Sequence, residues 1–439
     1  MTTSIAQSTQ TEEHPHYHDH DVHTPIKLSP DFLNKYEQKE SPLSPMGTFV
    51  FYRTYSRFSN KLGRRETWAE ACQRAVEYNV GLAYNHMTKI GYTPTLTALN
   101  KEAESLFDSM YNTKQFVSGR TLWIGGGENH VADKYPLANY NCSFTAIEKW
   151  DDLADLFYLL LVGTGVGFKC TPEMAEQLPP IRANLEVLHD DYVPAPSEKR
   201  LEHTKWIDLE QGYAKIYIGD SKEGWVEALR LFLEILTTHE YEHIKTVKFD
   251  YNSVRPRGEK LKTFGGTASG PEPLREMFEG FHQVLTNQID PSLAPLQRAY
   301  QGYYKARPIH ILDMGNLIGN NVVVGGVRRT AEIFLMGADD YESLLAKYAI
   351  NGLWTDEQFK AHKRLGKQLD AVGKKPEWWD SIKLEKGQNS REGLDHRRMS
   401  NNSIVFVEQP DKKYLDMVFD MMRYEGEPGF FNEEEASRR

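Results

Sequence analysis

Two short runs, "AKIYI" at 214–218 and "TVKFDY" at 246–251, frame the stretch "GWVEALRLFLEIL" at 224–236. The outer runs are brief, rich in β-branched and aromatic residues, and bounded by turn formers, which reads as two strands. Between them Val226, Leu229, Leu233 and Leu236 recur at three- and four-residue steps, the spacing of one helix face. Strand, helix, strand in that order predicts a mixed α/β architecture.

The bulk numbers bound the rest. A chain of 439 residues, 40% hydrophobic and 26% charged, is globular and long enough for one large domain or several ordinary ones. A net charge of −10 argues against a broad nucleic-acid surface, because duplex binding rests on many Lys and Arg contacts to phosphate. No apolar run reaches membrane-spanning length and no signal pattern opens the chain, so a soluble, cytoplasmic protein is expected, with no membrane and no nucleic-acid partner. Three cysteines, Cys72, Cys142 and Cys170, with no CxxC spacing, make neither a disulfide framework nor a structural zinc site, and no metal site is expected from them.

Along the chain, residues 1–25 are polar and hold "HPHYHDHDVH", five histidines that can ligate a transition metal but read more simply as a disordered, solvated tail. Residues 26–115 read as a helical region. In "ETWAEACQRAVEYNV", Trp68, Cys72 and Val76 share a helix face, which makes Cys72 a small core residue. "FVSGRTLWIGGGENH" reads as a glycine-rich loop. Asp151 and Asp152 are placed to cap the apolar helix that Gly163 stops. The "GTGVGF" after it follows a helix rather than a strand, so it is a weak phosphate-loop candidate. A further helix runs from about Pro273 to Leu285. The charged stretch 355–398 reads as a surface insertion with solvated faces.

"ANYNCSF", 138–144, puts Cys142 between a polar lead-in and Phe144. By itself that thiol can be core filling, a metal ligand, a nucleophile or a redox group. Order along the chain carries more: "SGRTLW", "NCSF", "GTGVGF", "RPRGEKLKTFGGTASGP", "NLIGNNVVVGGVRRTAEI", "SNNS" and "GEPGFFN" follow one another between about Phe49 and Asn432. In that succession the chain resembles the adenosylcobalamin-dependent, class II ribonucleoside-triphosphate reductases of the monomeric type.

The resemblance implies a fold and a chemistry. The fold is the N-terminal part of a ten-stranded α/β barrel of the ribonucleotide reductase and glycyl-radical type, here over residues 116–439. The chemistry is replacement of a ribonucleoside triphosphate's 2′-hydroxyl by hydrogen, through a thiyl radical raised by adenosylcobalamin. Cys142 then matches one member of the cysteine pair that supplies two electrons and is afterwards regenerated by a thioredoxin-like reductant. Thr121 and Ser143 match substrate-binding positions. About 170–336 corresponds to the segments that bind a deoxyribonucleoside triphosphate effector, with Cys170, Pro172, Glu173, Pro180 and Ile181 as candidates. Gly325, Gly326, Val327, Arg328 and Arg329 match the loop that couples effector to substrate base, where glycines permit two shapes and arginines offer forked donors. The radical cysteine's Asn-Pro-Cys-Gly-Glu loop and the second redox cysteine do not occur in this sequence. The expectation is therefore an incomplete barrel, inactive alone, whose partner is the C-terminal remainder of the reductase and whose strand edges and apolar faces are uncovered. A class I large-subunit fragment and a non-catalytic nucleotide-binding module are the competing readings.

Overall fold

The computed structural model describes residues 25–37, 39–128, 130–209, 211–261, 267–324, 331–353, 355–382 and 391–439. The histidine-rich segment to residue 24 and the loop 325–330 lie outside them. The chain divides into two compact units, Met1–Asn141 and, apart from 262–264, Cys142–Arg439.

The first unit is helical: α1 (Pro30–Glu37), α2 (Trp68–Lys89), α3 (Leu96–Tyr111) and α4 (Gly119–Ile124). Thr67 and Glu70 close a capping box at the start of α2, each side chain accepting the other's backbone amide. Trp68, Cys72 and Val76 pack with Leu99, Ala103, Phe107 and Met110 of α3, so Cys72 is the core residue its spacing predicts. The expected loop 116–130 contains α4, capped by Ser118, whose hydroxyl accepts the Thr121 amide at 3.1 Å. The boundary expected near residue 116 also moves. Arg74, buried in α2, donates to the carbonyls of Leu122 (3.0 Å) and Gly125 (2.7 Å), which ties this stretch to the helical unit.

In the second unit β1 (Cys142–Ala146), α5 (Asp152–Leu161) and β2 (Gly165–Lys169) open the chain path. The aspartates at α5 act differently from simple caps. Asp152 accepts the amides of Glu148 and Lys149, both at 2.9 Å, while Asp151 pairs with Arg230. Next come β3 (Ile181–Arg182), β4 (Glu186–His189), β5 (Lys205–Leu209), β6 (Tyr213–Tyr217), α6 (Lys222–Thr237) and β7 (Thr246–Asp250). β6 and β7 pair in parallel from Tyr213↔Thr246 to Tyr217↔Asp250, with α6 as the crossover, so the strand–helix–strand reading holds. These strands form a four-stranded sheet in the order β4-β7-β6-β5.

After α7 (Glu272–Leu285), β8 (Gln297–Tyr300) and β9 (Tyr303–Lys305) form a small antiparallel sheet with β3. Then follow α8 (Pro308–Val324), β10 (Glu332–Gly337), α9 (Asp356–Ala371), β11 (Ser400–Phe406), α10 (Lys412–Glu425) and β12 (Gly429–Asn432). The main sheet has five strands in the order β12-β11-β10-β2-β1, and every pair is parallel. On one face Val166, Phe168, Phe334, Met336 and Ile404 are buried in the core with side chains of α5 and α8. The approach is close: a Cβ on Gly315 of α8 would lie 2.5 Å from the Phe168 ring.

The charged stretch 355–398 is not the solvated excursion its composition suggests. α9 is amphipathic and buries His362, Leu365 and Leu369, and Trp379 stacks on His362 with centroids 4.5 Å apart. Farther on, Leu394 and Arg397 are buried too. Among the described residues no helix is long and apolar enough to cross a membrane.

Candidate active site

Cys142 is the first residue of β1, an edge strand, and it is exposed, whereas Cys72 and Cys170 are buried. Burial pushes both buried thiols well above the ordinary cysteine range, which leaves them inert at neutral pH. Core filling is thereby removed as an account of Cys142. The described residues form no dry pocket around it, because Phe144 beside it is 55% exposed.

Strand alternation sorts its neighbours. Cys142 and Phe144 point to one face of the sheet, and Gly165 and Gly167 stand opposite them on β2. A Cβ on Gly167 would lie 3.0 Å from the Phe144 ring and 3.3 Å from Ile333, which places all three on that face. Asn401, paired with Ile333, and Phe431 belong to it as well. Phe144, Ile333 and Phe431 are exposed there, although parallel sheets normally have both faces covered.

Ser143 points the other way. Its hydroxyl lies 2.8 Å from that of Thr164, which donates to the Leu159 carbonyl at 2.9 Å, so Ser143 supplies the proton of the first bond. The side chains of Cys142 and Ser143 are therefore not brought together on one face. Thr121 lies in the first unit, half-buried, with its hydroxyl 2.9 Å from that of Ser118.

The effector candidates separate likewise. Cys170 and Ile181 have no exposed surface and belong to the core. Pro172 and Glu173 open a short helix capped by Thr171, whose hydroxyl hydrogen bond lowers the Glu173 carboxyl. Pro180 is half-buried just before β3. Gly325, Gly326, Val327, Arg328 and Arg329 lie outside the described residues.

A buried polar network, not anticipated from the sequence, holds the start of β11. Arg397 donates to Asp313 of α8 at 2.6 and 2.8 Å and to Asp290 at 2.8 Å, and His396 lies 2.8 Å from Asp313. The Ser400 amide donates to Asn316 at 2.8 Å, Lys347 donates to the Ser400 carbonyl at 2.7 Å, and the Asn402 amide donates to Glu427 at 3.2 Å. Burial works to raise the Asp313 carboxyl, but the Arg397 guanidinium outweighs it and holds the group well below the carboxylate range. Glu332, the first residue of β10, is buried against Gly319 of α8. Neither of its oxygens has a hydrogen-bond partner among the described residues, and burial pushes it well above its ordinary value. The sequence signal for this region was the polar run "SNNS", 400–403, in a strand that should be apolar.

The chain has known counterparts in sequence and fold. Two family models match: the ribonucleotide reductase alpha domain at 28–127, and the B12-dependent ribonucleotide reductase insertion domain at 188–285. A solved B12-dependent, class II ribonucleotide reductase shares the fold, with a TM-score of 0.65 and 24% identity over 93% of this chain and 52% of that one. The chain thus shares its fold with a ribonucleotide reductase and matches two domain models of that class.

More particularly, the chain is a relative of the B12-dependent, class II reductases. It is 28% identical over 437 residues to the adenosylcobalamin-dependent ribonucleoside-triphosphate reductase of Levilactobacillus brevis, covering 93% of this chain and 51% of that protein. To the enzyme of the same name from Lactobacillus delbrueckii subsp. bulgaricus it is 30% identical over 353 residues, 73% of this chain and 45% of that one. The chain spans about half the length of the curated relatives it matches. The match to the insertion-domain model falls on the four-stranded sheet with α6 and α7.

Proposed function

We propose that this chain forms the thiol-bearing portion of an adenosylcobalamin-dependent ribonucleoside-triphosphate reductase, acting in the cytoplasm in the supply of DNA precursors. The observation that carries the reading is the single accessible thiol, Cys142, at the edge of an all-parallel sheet in a relative of such enzymes. In the overall reaction one ribonucleotide and two thiols give one 2′-deoxyribonucleotide, one disulfide and one water. Cys142 supplies one of those thiols from the open face, and a thioredoxin-like dithiol reduces the disulfide afterwards.

Cys72 and Cys170 have no exposed surface, so neither serves as its partner. The second reducing thiol and the radical-bearing thiol come, in this proposal, from a polypeptide that covers the open face and completes a barrel. Adenosylcobalamin, when bound by the completed barrel, would supply the initiating radical. Among the described residues no group of three or more His, Cys, Asp or Glu is placed to hold a metal. A deoxynucleotide effector belongs to the region 170–336, with the glycine–arginine loop 325–329 as its link to the substrate base. The insertion-domain match favours the cobalamin branch over a class I large subunit.

The test mixes the full chain with a complementing polypeptide that carries the Asn-Pro-Cys-Gly-Glu loop, adenosylcobalamin, a ribonucleoside triphosphate and a dithiol, and measures deoxynucleotide formed. Turnover is expected from the mixture and not from the chain alone, and Cys142→Ser is expected to abolish it. Undiminished dithiol-driven turnover in Cys142→Ser would instead leave a nucleotide-binding module without chemistry of its own.

A further inference from the structure

Ser400, Asn401, Asn402 and Ser403 form a polar start to a strand of a parallel sheet, where apolar residues are the rule. Local sequence that contradicts its structural setting points to function unless the structure itself accounts for it. It does account for two of these residues. Ser400 and Asn402 are buried, bonded to each other at 3.0 Å, and bound through their backbones to Asn316, Lys347 and Glu427. Asn401 projects to the opposite face, where it is exposed. Its neighbours on both sides are fixed, so its side chain is presented in a set place.

The surroundings of Asn401 on that face form a bed. Along one row of the sheet run Phe144, Gly167, Ile333 and Asn401: an aromatic ring, a bare glycine, an aliphatic side chain and a primary amide. The absence of a side chain at Gly167 lets the Phe144 ring lie over that strand beside Ile333, where a Cβ would come within 3.0 Å of it. Cys142 stands one step back on the Phe144 strand. Three strand intervals of about 4.8 Å each put Asn401 roughly 14 Å across the sheet from β1. A sugar beside Cys142 with its base stacked on the Phe144 ring turns the polar edge of the base across Ile333 toward the Asn401 amide.

We propose that Asn401 reads the base of the ribonucleotide, which lies on the bed Phe144–Gly167–Ile333. The inference rests on the function proposed above and adds to it the residue that discriminates between bases. A carboxamide offers one donor and one acceptor side by side, which matches paired donor and acceptor positions on a base edge. Phe144 contributes stacking, which every base accepts alike.

The experiment is equilibrium binding of ATP, GTP, CTP and UTP to the full chain, its Asn401→Ala and Asn401→Asp variants, and Phe144→Ala. Asn401→Ala should weaken the preferred nucleotide by roughly ten-fold and flatten the differences among the four. Asn401→Asp, which exchanges the donor for a second acceptor, should change their order. Phe144→Ala should weaken all four together. Thermal melting of each variant, expected to match the parent because both side chains are exposed, separates a binding effect from misfolding. If the parent distinguishes the bases and both Asn401 variants keep its order and affinities, Asn401 is not the reader, while the reductase reading stands. Asn401 is equally ruled out if the parent binds ribonucleotides without preference, or if the variants impair only assembly with the complementing polypeptide. If the parent binds no ribonucleotide, the functional reading falls and this inference with it.

Discussion

Arg397 and Asp313, neither with any exposed surface, meet in a forked pair: Nε lies 2.6 Å from one carboxylate oxygen and a terminal nitrogen 2.8 Å from the other. The pair joins the segment before β11 to α8, and Asp290 binds the same guanidinium from a third side.

Breaking it should be costly, because removal of one partner leaves an unpaired charge in the core. Asp313→Ala or Arg397→Ala is expected to destabilise the fold by about 3–5 kcal/mol. Urea unfolding followed by fluorescence measures this. Because the Asp313 carboxyl is depressed by its partner, its contribution is present above its unfolded value near 4 and fades only as the pH drops below it. A difference between parent and Asp313→Asn that widened steadily from pH 7 toward 9 would contradict the assignment.

The three cysteines should be chemically unequal. With Cys142 exposed and the others buried, a neutral alkylating reagent should modify one thiol per native chain and all three after denaturation. Mass spectrometry of the native product should place the label on Cys142, and Cys142→Ser should remove the rapid phase. Labelling of Cys72 or Cys170 at the same rate would mean that the packing around them opens easily.

Asp340 gives a pH signature of opposite sign. Burial raises its carboxyl to about 6, against the lowering effect of the Ser343 hydrogen bonds at the helix start it caps. A group raised in the folded state contributes stability below its unfolded value that is lost as the pH climbs through the folded one, here between about 4 and 6. Asp340→Asn keeps an acceptor for the Ser343 amide and removes the titration. It should stabilise the chain by about 1–3 kcal/mol at pH 7, and the advantage should vanish near pH 4. Melting temperatures across that range provide the check.

Much of the fold was legible because its signals are local. Strands β6 and β7 and the core face of α2 follow from the spacing of apolar residues. What stayed hidden depends on distant contacts. The carbonyls that Arg74 captures lie about fifty positions away, and no loop pattern near residue 116 announces them. The stretch 355–398 looked solvated because its lysines and glutamates outnumber the few large side chains that bury it. Asp151 and Asp152 were the right residues for the wrong bonds, since Arg230 competes for one of them. At the candidate site the thiol stood out from its neighbours in the sequence. The orientation of Ser143 away from it, and the company of Asn401, were fixed only once strand register was known.

Glu332 has a consequence for the balance of protons in folding. An acid buried against Gly319, with neither oxygen hydrogen-bonded among the described residues, holds its hydrogen to a higher pH than the same acid in the unraveled chain. Between its unfolded and its folded value, closing the joint between α8 and β10 therefore takes up a proton at this side chain, and alkali works against that closure.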